Sequence, residues 1–167
     1  MKPSARKFGR FLFLPINNEK EAMSCWPTGK HHVKEIKRLS LFLKKLSSKY
    51  LLLIADGKKF NCDELSLRRL LQIAEKKHAG IVYSDFILRV KNNIIEYPLI
   101  DYQQGSIRDD FNFGPLLLFS CPAIKTALQK YGSLPSDTNV ALYDLRLKVS
   151  IDHPGERIYT DLITDFH

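Results

Sequence analysis

Asp56 and Asp85 each follow an apolar run, Tyr50-Leu51-Leu52-Leu53-Ile54-Ala55 in the first case and Ile81-Val82-Tyr83, with Ser84, in the second. Carboxylates carried at the ends of two buried strands stand at the rim where sheets of this kind bind ligands and could hold a divalent cation, because Mg²⁺ takes only one or two protein carboxylates and keeps several waters. The plainer alternative is that Asp56 starts a turn and Asp85 solvates a loop. A second cluster lies in the polar stretch 99–114, where Tyr102, Gln103, Arg108, Asp109 and Asp110 flank Gly105-Ser106. Asp109 or Asp110 could serve as a base, with Arg108 as a cation that orients a substrate or meets a phosphate. Tyr102 and Gln103 could hydrogen-bond a ligand's hydroxyls, or Tyr102 could stack on a ring. The structural alternative pairs Arg108 with an acid to order the loop and buries Tyr102. A long polar stretch in a compact chain is more often functional. His31-His32 has no acid or cysteine at ligand spacing and reads as a loop or helix-start feature, and Trp26 reads as an anchor for the N-terminal loop.

The elements that must position these groups follow from periodicity. Phe11–Leu14 is a short buried strand expected to end at Pro15. Ile36, Leu39, Leu43 and Leu46 recur at three- and four-residue steps, so 32–48 is expected to be an amphipathic helix with a basic outer face. Residues 50–55 show no polar alternation, the mark of a strand covered on both faces. Asp63 reads as the N-cap of a helix carrying Leu67, Leu70, Leu71 and Ala74 that ends near Ala79-Gly80, and the strand Ile81–Tyr83 follows. Phe86–Val90 and Ile94–Tyr97 flank Lys91-Asn92-Asn93 as a hairpin. Leu116–Phe119 reads as a strand, 122–131 and 139–150 as helices, and Arg157–Tyr159 as part of a last strand. Strand and helix alternating in this rhythm imply crossover connections and an α/β fold, with a mostly parallel sheet flanked by helices in three layers.

The chain's 167 residues, 44% hydrophobic and 26% charged, suit a single folded domain spanning 1–167. Its three cysteines, Cys25, Cys62 and Cys121, are odd in number and far apart, which fits neither a disulfide framework nor a zinc pair and points to a reducing compartment. The basic start is followed by too short an apolar run for a signal peptide or a membrane span, so a cytoplasmic protein is expected. Fourteen of the 26 basic residues but only 4 of the 18 acidic ones fall in the first 59 positions. A field of that kind draws nucleic acid, an anionic membrane face or a phosphorylated small molecule alike, and it also suits a solvated helix surface. No RRM signature or zinc finger accompanies it, so nucleic acid is the least expected partner.

In their order, several of these segments resemble the family 2 nucleotide-sugar glycosyltransferases, in particular a bacterial branch. Tyr50–Gly57 resembles the strand entering the family's Asp-x-Asp metal motif, Leu67–Glu75 the helix after it, and Gly80–Phe86 the next strand. Ile100-Asp101-Tyr102-Gln103-Gln104-Gly105-Ser106-Ile107-Arg108-Asp109-Asp110-Phe111 resembles the branch's signature loop, and Ala141–Leu147 the helix bearing the acceptor-side acidic motif. The resemblance covers 32–165 and leaves 1–31 as a basic N-terminal strand and loop. It implies a GT-A sheet shortened at its N-terminal side, Mn²⁺ or Mg²⁺ at Asp56 and Asp85, and inverting transfer of a sugar from a nucleoside diphosphate to an acceptor hydroxyl. The acceptor would be a carbohydrate or lipid-linked molecule of bacterial cell-surface polysaccharide or glycolipid assembly, met at the inner membrane, with oligomerisation left open. Lys58 stands where the motif's second Asp would be and offers a cation to the substrate instead. Ala141-Leu142 replaces a frequent Glu-Asp pair, so that Asp144 alone matches an acid of that helix. These departures raise two further readings: a catalytically inactive relative that binds a carbohydrate or a partner enzyme, and, more remotely, a basic nucleic-acid-binding module.

Overall fold

The computed structural model describes residues 6–8, 11–18, 20–22, 34–35, 37–55, 59–61, 64–90, 93–99, 101, 113–153 and 155–166. Among them, nine strands form one sheet: β1 (Arg6–Phe8), β2 (Phe11–Ile16), β3 (Lys34–Glu35), β4 (Tyr50–Ala55), β5 (Lys59–Asn61), β6 (Ile81–Val90), β7 (Asn93–Tyr97), β8 (Leu116–Ser120) and β9 (Gly155–Phe166). The spatial order is β3-β1-β2-β4-β8-β6-β9-β5, with β7 paired to β6. Among the described residues, besides the helical 20–22, four helices accompany the sheet: α1 (Leu39–Lys44), α2 (Glu64–Lys77), α3 (Cys121–Tyr131) and α4 (Thr138–Asp152).

The apolar runs become the centre of the sheet. Leu51, Phe119 and Ile81 stand level across β4, β8 and β6, as do Leu53, Leu117 and Tyr83, and all six are at most 2% exposed. Side chains alternate along a strand, so Tyr50 and Tyr83 belong to opposite faces. Tyr50 lies beside Leu71 and Gln72 of α2. Tyr83 meets Phe113, which in turn lies under Arg146 of α4. α3 packs on α4, and α1 on α3. The helix ends have local causes. Asp137 caps α4 by accepting from the N–H groups of Asn139 and Val140, and the Ser120 hydroxyl accepts from Ala123 N–H at the start of α3. α2 stops at His78, whose φ of 51° makes the left-handed turn usually left to glycine.

This topology corrects the expected mostly parallel GT-A sheet. Only β1–β3 and β6–β9 pair in parallel; the other six pairings are antiparallel. β4 and β6 do run in the same direction, joined through α2 as the strand–helix rhythm implies. They are not neighbours, however, because β8 lies between them and antiparallel to both. The chain turns at the far end of β6 into the hairpin strand β7, comes back along the same edge of β6, and resumes as β8 in that returning direction. An apolar run such as Leu116–Phe119 announces burial and carries no sign of direction.

Two further expectations shift. The helix expected over 32–48 is helical only across Leu39–Lys44: Lys34–Glu35 pairs with β1, and Arg38 is still extended at φ −138° and ψ 103°. β2 runs through Pro15 to Ile16. Proline is tolerated there because β1 pairs only with Phe11–Phe13, so on that edge residue 15 has no described ladder partner to receive an N–H.

Candidate functional site

The polar stretch between β7 and β8, here called the excursion, lies outside the described residues except at Asp101, and the described flanks that form its neck come together. Leaving β7, the chain is tied at Leu99, whose N–H donates to Asp85 Oδ1 at 2.7 Å. It re-enters at Gly114 (φ 77°), where an added Cβ would lie 3.2 Å from the Ser84 carbonyl oxygen and 3.3 Å from Leu99 Cδ1. Both ends therefore meet at Ser84-Asp85, at the sheet rim where β4 finishes. Tyr83 is level with Leu53 through Leu117, so Asp85 is two residues further on, as is Ala55, and Asp56 follows Ala55 in sequence.

Of the residues singled out from the sequence, Asp56, Lys58, Tyr102, Gln103, Arg108, Asp109 and Asp110 lie outside the described residues, as do Trp26, the two histidines and Asp63. Asp85 and Asp144 are described. Asp85 does not end its strand, since β6 continues to Val90, and its carboxylate holds the neck of the excursion. Replacing Asp85 with Asn keeps an acceptor and removes the charge. The expected cost is about 1 kcal/mol, the difference between charged and neutral hydrogen bonds, read as a lower urea midpoint at unchanged m-value. Asp144 is paired with Lys148 at 2.6 Å, and the same ammonium bonds the carbonyls of Gly132 and Ser133, which ties α4 to the end of α3. Ala141 and Leu142 are in the core. Among the described residues no cluster of three or more His, Cys, Asp or Glu side chains is placed to hold a metal ion. The buried Cys121 thiol has its pKa raised chiefly by burial, which makes it a poor nucleophile.

The group that reading from the sequence missed is Arg146. Its guanidinium carbon sits 4.9 Å from the centre of the Phe113 ring, and its Nε is buried with no hydrogen-bond partner. Ser84 Oγ, at the neck, is the other such orphan among the described residues. Burial lowers the Arg146 pKa to about 10. Below that pH the side chain is charged in the folded and the unfolded chain alike, so near neutrality folding bears a desolvation cost, lessened because Arg146 as a whole is only partly buried. A cation–π contact recovers only about 0.5–2 kcal/mol of such a cost. A signal was present in the sequence: residue 146 is four after Leu142 and three before Val149, which puts a charge on the buried stripe of α4.

A cavity of about 540 Å³ opens at the opposite end of β4, between Asn17, Lys49, Tyr50 and the α2 residues Arg68, Gln72 and Glu75. Its charges are largely matched. Lys49 meets Glu75 at 2.7 Å, a hydrogen bond that lowers the Glu75 pKa, and Arg68 meets Glu64 at 3.0 Å. No helix among the described residues is long and apolar enough to cross a membrane. Comparison with known protein families and with curated proteins returns no match for this chain.

Proposed function

We propose that this chain binds a nucleoside-diphosphate sugar at the rim where the excursion closes, and that sugar transfer to an acceptor hydroxyl in bacterial cell-surface polysaccharide or glycolipid assembly is its reaction. One observation carries the reading. In the sequence, the stretch richest in sugar- and phosphate-binding side chain types, Tyr102 to Asp110, falls between Leu99, which is bonded to Asp85, and Gly114, which packs on Ser84, both level with the end of the strand that Asp56 follows. Transfer asks for cations on the departing diphosphate and a carboxylate near the acceptor. Lys58 and Arg108 supply the first in this reading, and Asp109 or Asp110 the second, with Mn²⁺ or Mg²⁺ at Asp56 as an added partner for the diphosphate. The protein would work in the cytoplasm, its basic N-terminal portion drawn to the anionic inner-membrane surface.

A second reading, a non-catalytic protein of the same binding preference, is favoured by the state of α4: Asp144 is committed to Lys148, and core residues Ala141 and Leu142 occupy the positions of the family's acids. Titration calorimetry with UDP- and GDP-sugars, with and without Mn²⁺, separates the cases when release of nucleoside diphosphate is followed in parallel. Binding with release supports transfer, and binding without release supports the second reading. No heat with any donor overturns both. Arg108→Ala is expected to weaken donor binding about ten- to a hundredfold, the loss of one charge-assisted hydrogen bond.

A further inference from the structure

Arg146 Nε and Ser84 Oγ are the two orphaned buried polar atoms among the described residues, and alternation along β6 turns the Ser84 side chain to the face opposite Tyr83, away from Arg146. Ser84 lines the neck itself. Arg146 lies over Phe113, the residue before Gly114. In native proteins the great majority of buried donors are bonded, and an exception calls for a cause, an absent ion among them. Arg146 is the stronger exception because it is charged. The described acids nearest in the chain are committed elsewhere, Asp144 to Lys148 and Asp152 to Lys130 and Tyr131. A methionine at position 146 would fill similar space on the buried stripe of α4 without the cost of an uncompensated charge. The guanidinium that stands there instead is a planar fork of donors, already stacked against a ring, so little rotational freedom remains to be lost when an anion arrives.

We propose that Arg146, stacked on Phe113 beside the neck of the excursion, is the recognition group for phosphoryl oxygens, taking the diphosphate of the incoming sugar nucleotide. The identity of that ligand rests on the function proposed above; the anion site itself does not. It predicts a trade between stability and binding that a structural arginine would not show. Arg146→Met should raise the unliganded melting midpoint by about 2–4 °C for a chain of this size. The same substitution should weaken binding of UDP and of inorganic pyrophosphate at least tenfold, with uridine as the neutral control. Arg146→Lys keeps the charge but loses the fork, so it should still bind severalfold more weakly than the parent.

The proposal is tested by thermal melts and calorimetry of the full chain and both variants. Equal binding of UDP and pyrophosphate by the parent and both variants overturns it and leaves the sugar-nucleotide reading standing. Pyrophosphate binding that depends on Arg146, with no binding of any sugar nucleotide, supports the anion site and overturns the function proposed above. Absence of both overturns both. A lowered midpoint in Arg146→Met, matched by Asp109→Asn/Asp110→Asn, also overturns the proposal, since it assigns the guanidinium to a carboxylate of its own chain.

Discussion

Phe119→Ala is expected to remove about 3–5 kcal/mol of stability, enough to shift the urea midpoint far below that of the parent and to leave a marginal fold. Phe119 is 1% exposed and lies next to the end of β8, opposite Leu51 on one side and Ile81 on the other. Truncation leaves a cavity that neither neighbour can fill without breaking the ladder it shares with β8. Because β8 is the strand that joins β4 to β6, the lost contacts loosen both halves of the sheet together. Unfolding is therefore expected to remain a single transition at a lower midpoint, not to split in two.

Gly80→Ala is expected to cost about 1–3 kcal/mol by overpacking, measured in the same way. A Cβ on Gly80 would lie 2.5 Å from His153 Cβ, 2.8 Å from Val149 Cγ1 and 2.9 Å from the His153 carbonyl oxygen. Two of those atoms belong to the main chain or to the first carbon of a side chain, so no rotamer change relieves them and the end of α4 must move away from β6. The backbone of Gly80 is also in use, its carbonyl accepting from Ser120 N–H at 3.0 Å. With α2 already turned at His78, glycine is needed here for the close approach of a helix end to a strand.

How much of this could be read in the chain follows from what periodicity encodes. Tyr50–Ala55 and Ile81–Tyr83 declared buried strands, and the apolar spacing of Leu67, Leu70 and Ala74 declared the helix between them, so the common direction of β4 and β6 was legible. That β8 lies between them was not, because strand order depends on where a returning chain finds an open edge, and burial pattern is blind to it. Ile36 and Leu39 kept helical spacing across a segment in which 34–35 pair as strand: three residues fit either period, and the edge of β1 decided the matter. At the rim, the sequence marked Asp85 as a strand-end acid. Its use, holding Leu99, was hidden because the bond joins residues 14 apart across a hairpin. Arg146 was legible in principle, as a charge in register with Leu142 and Val149.

The neck at Leu99 and Gly114 also bears on how such a chain could change over time. A segment whose two ends already touch adds little chain-closure entropy when it grows, about 0.6 kcal/mol for each doubling of length. The stretch from 100 to 112 can therefore be exchanged as a graft while Phe113, Phe119, Tyr83 and Gly80 keep the scaffold unchanged.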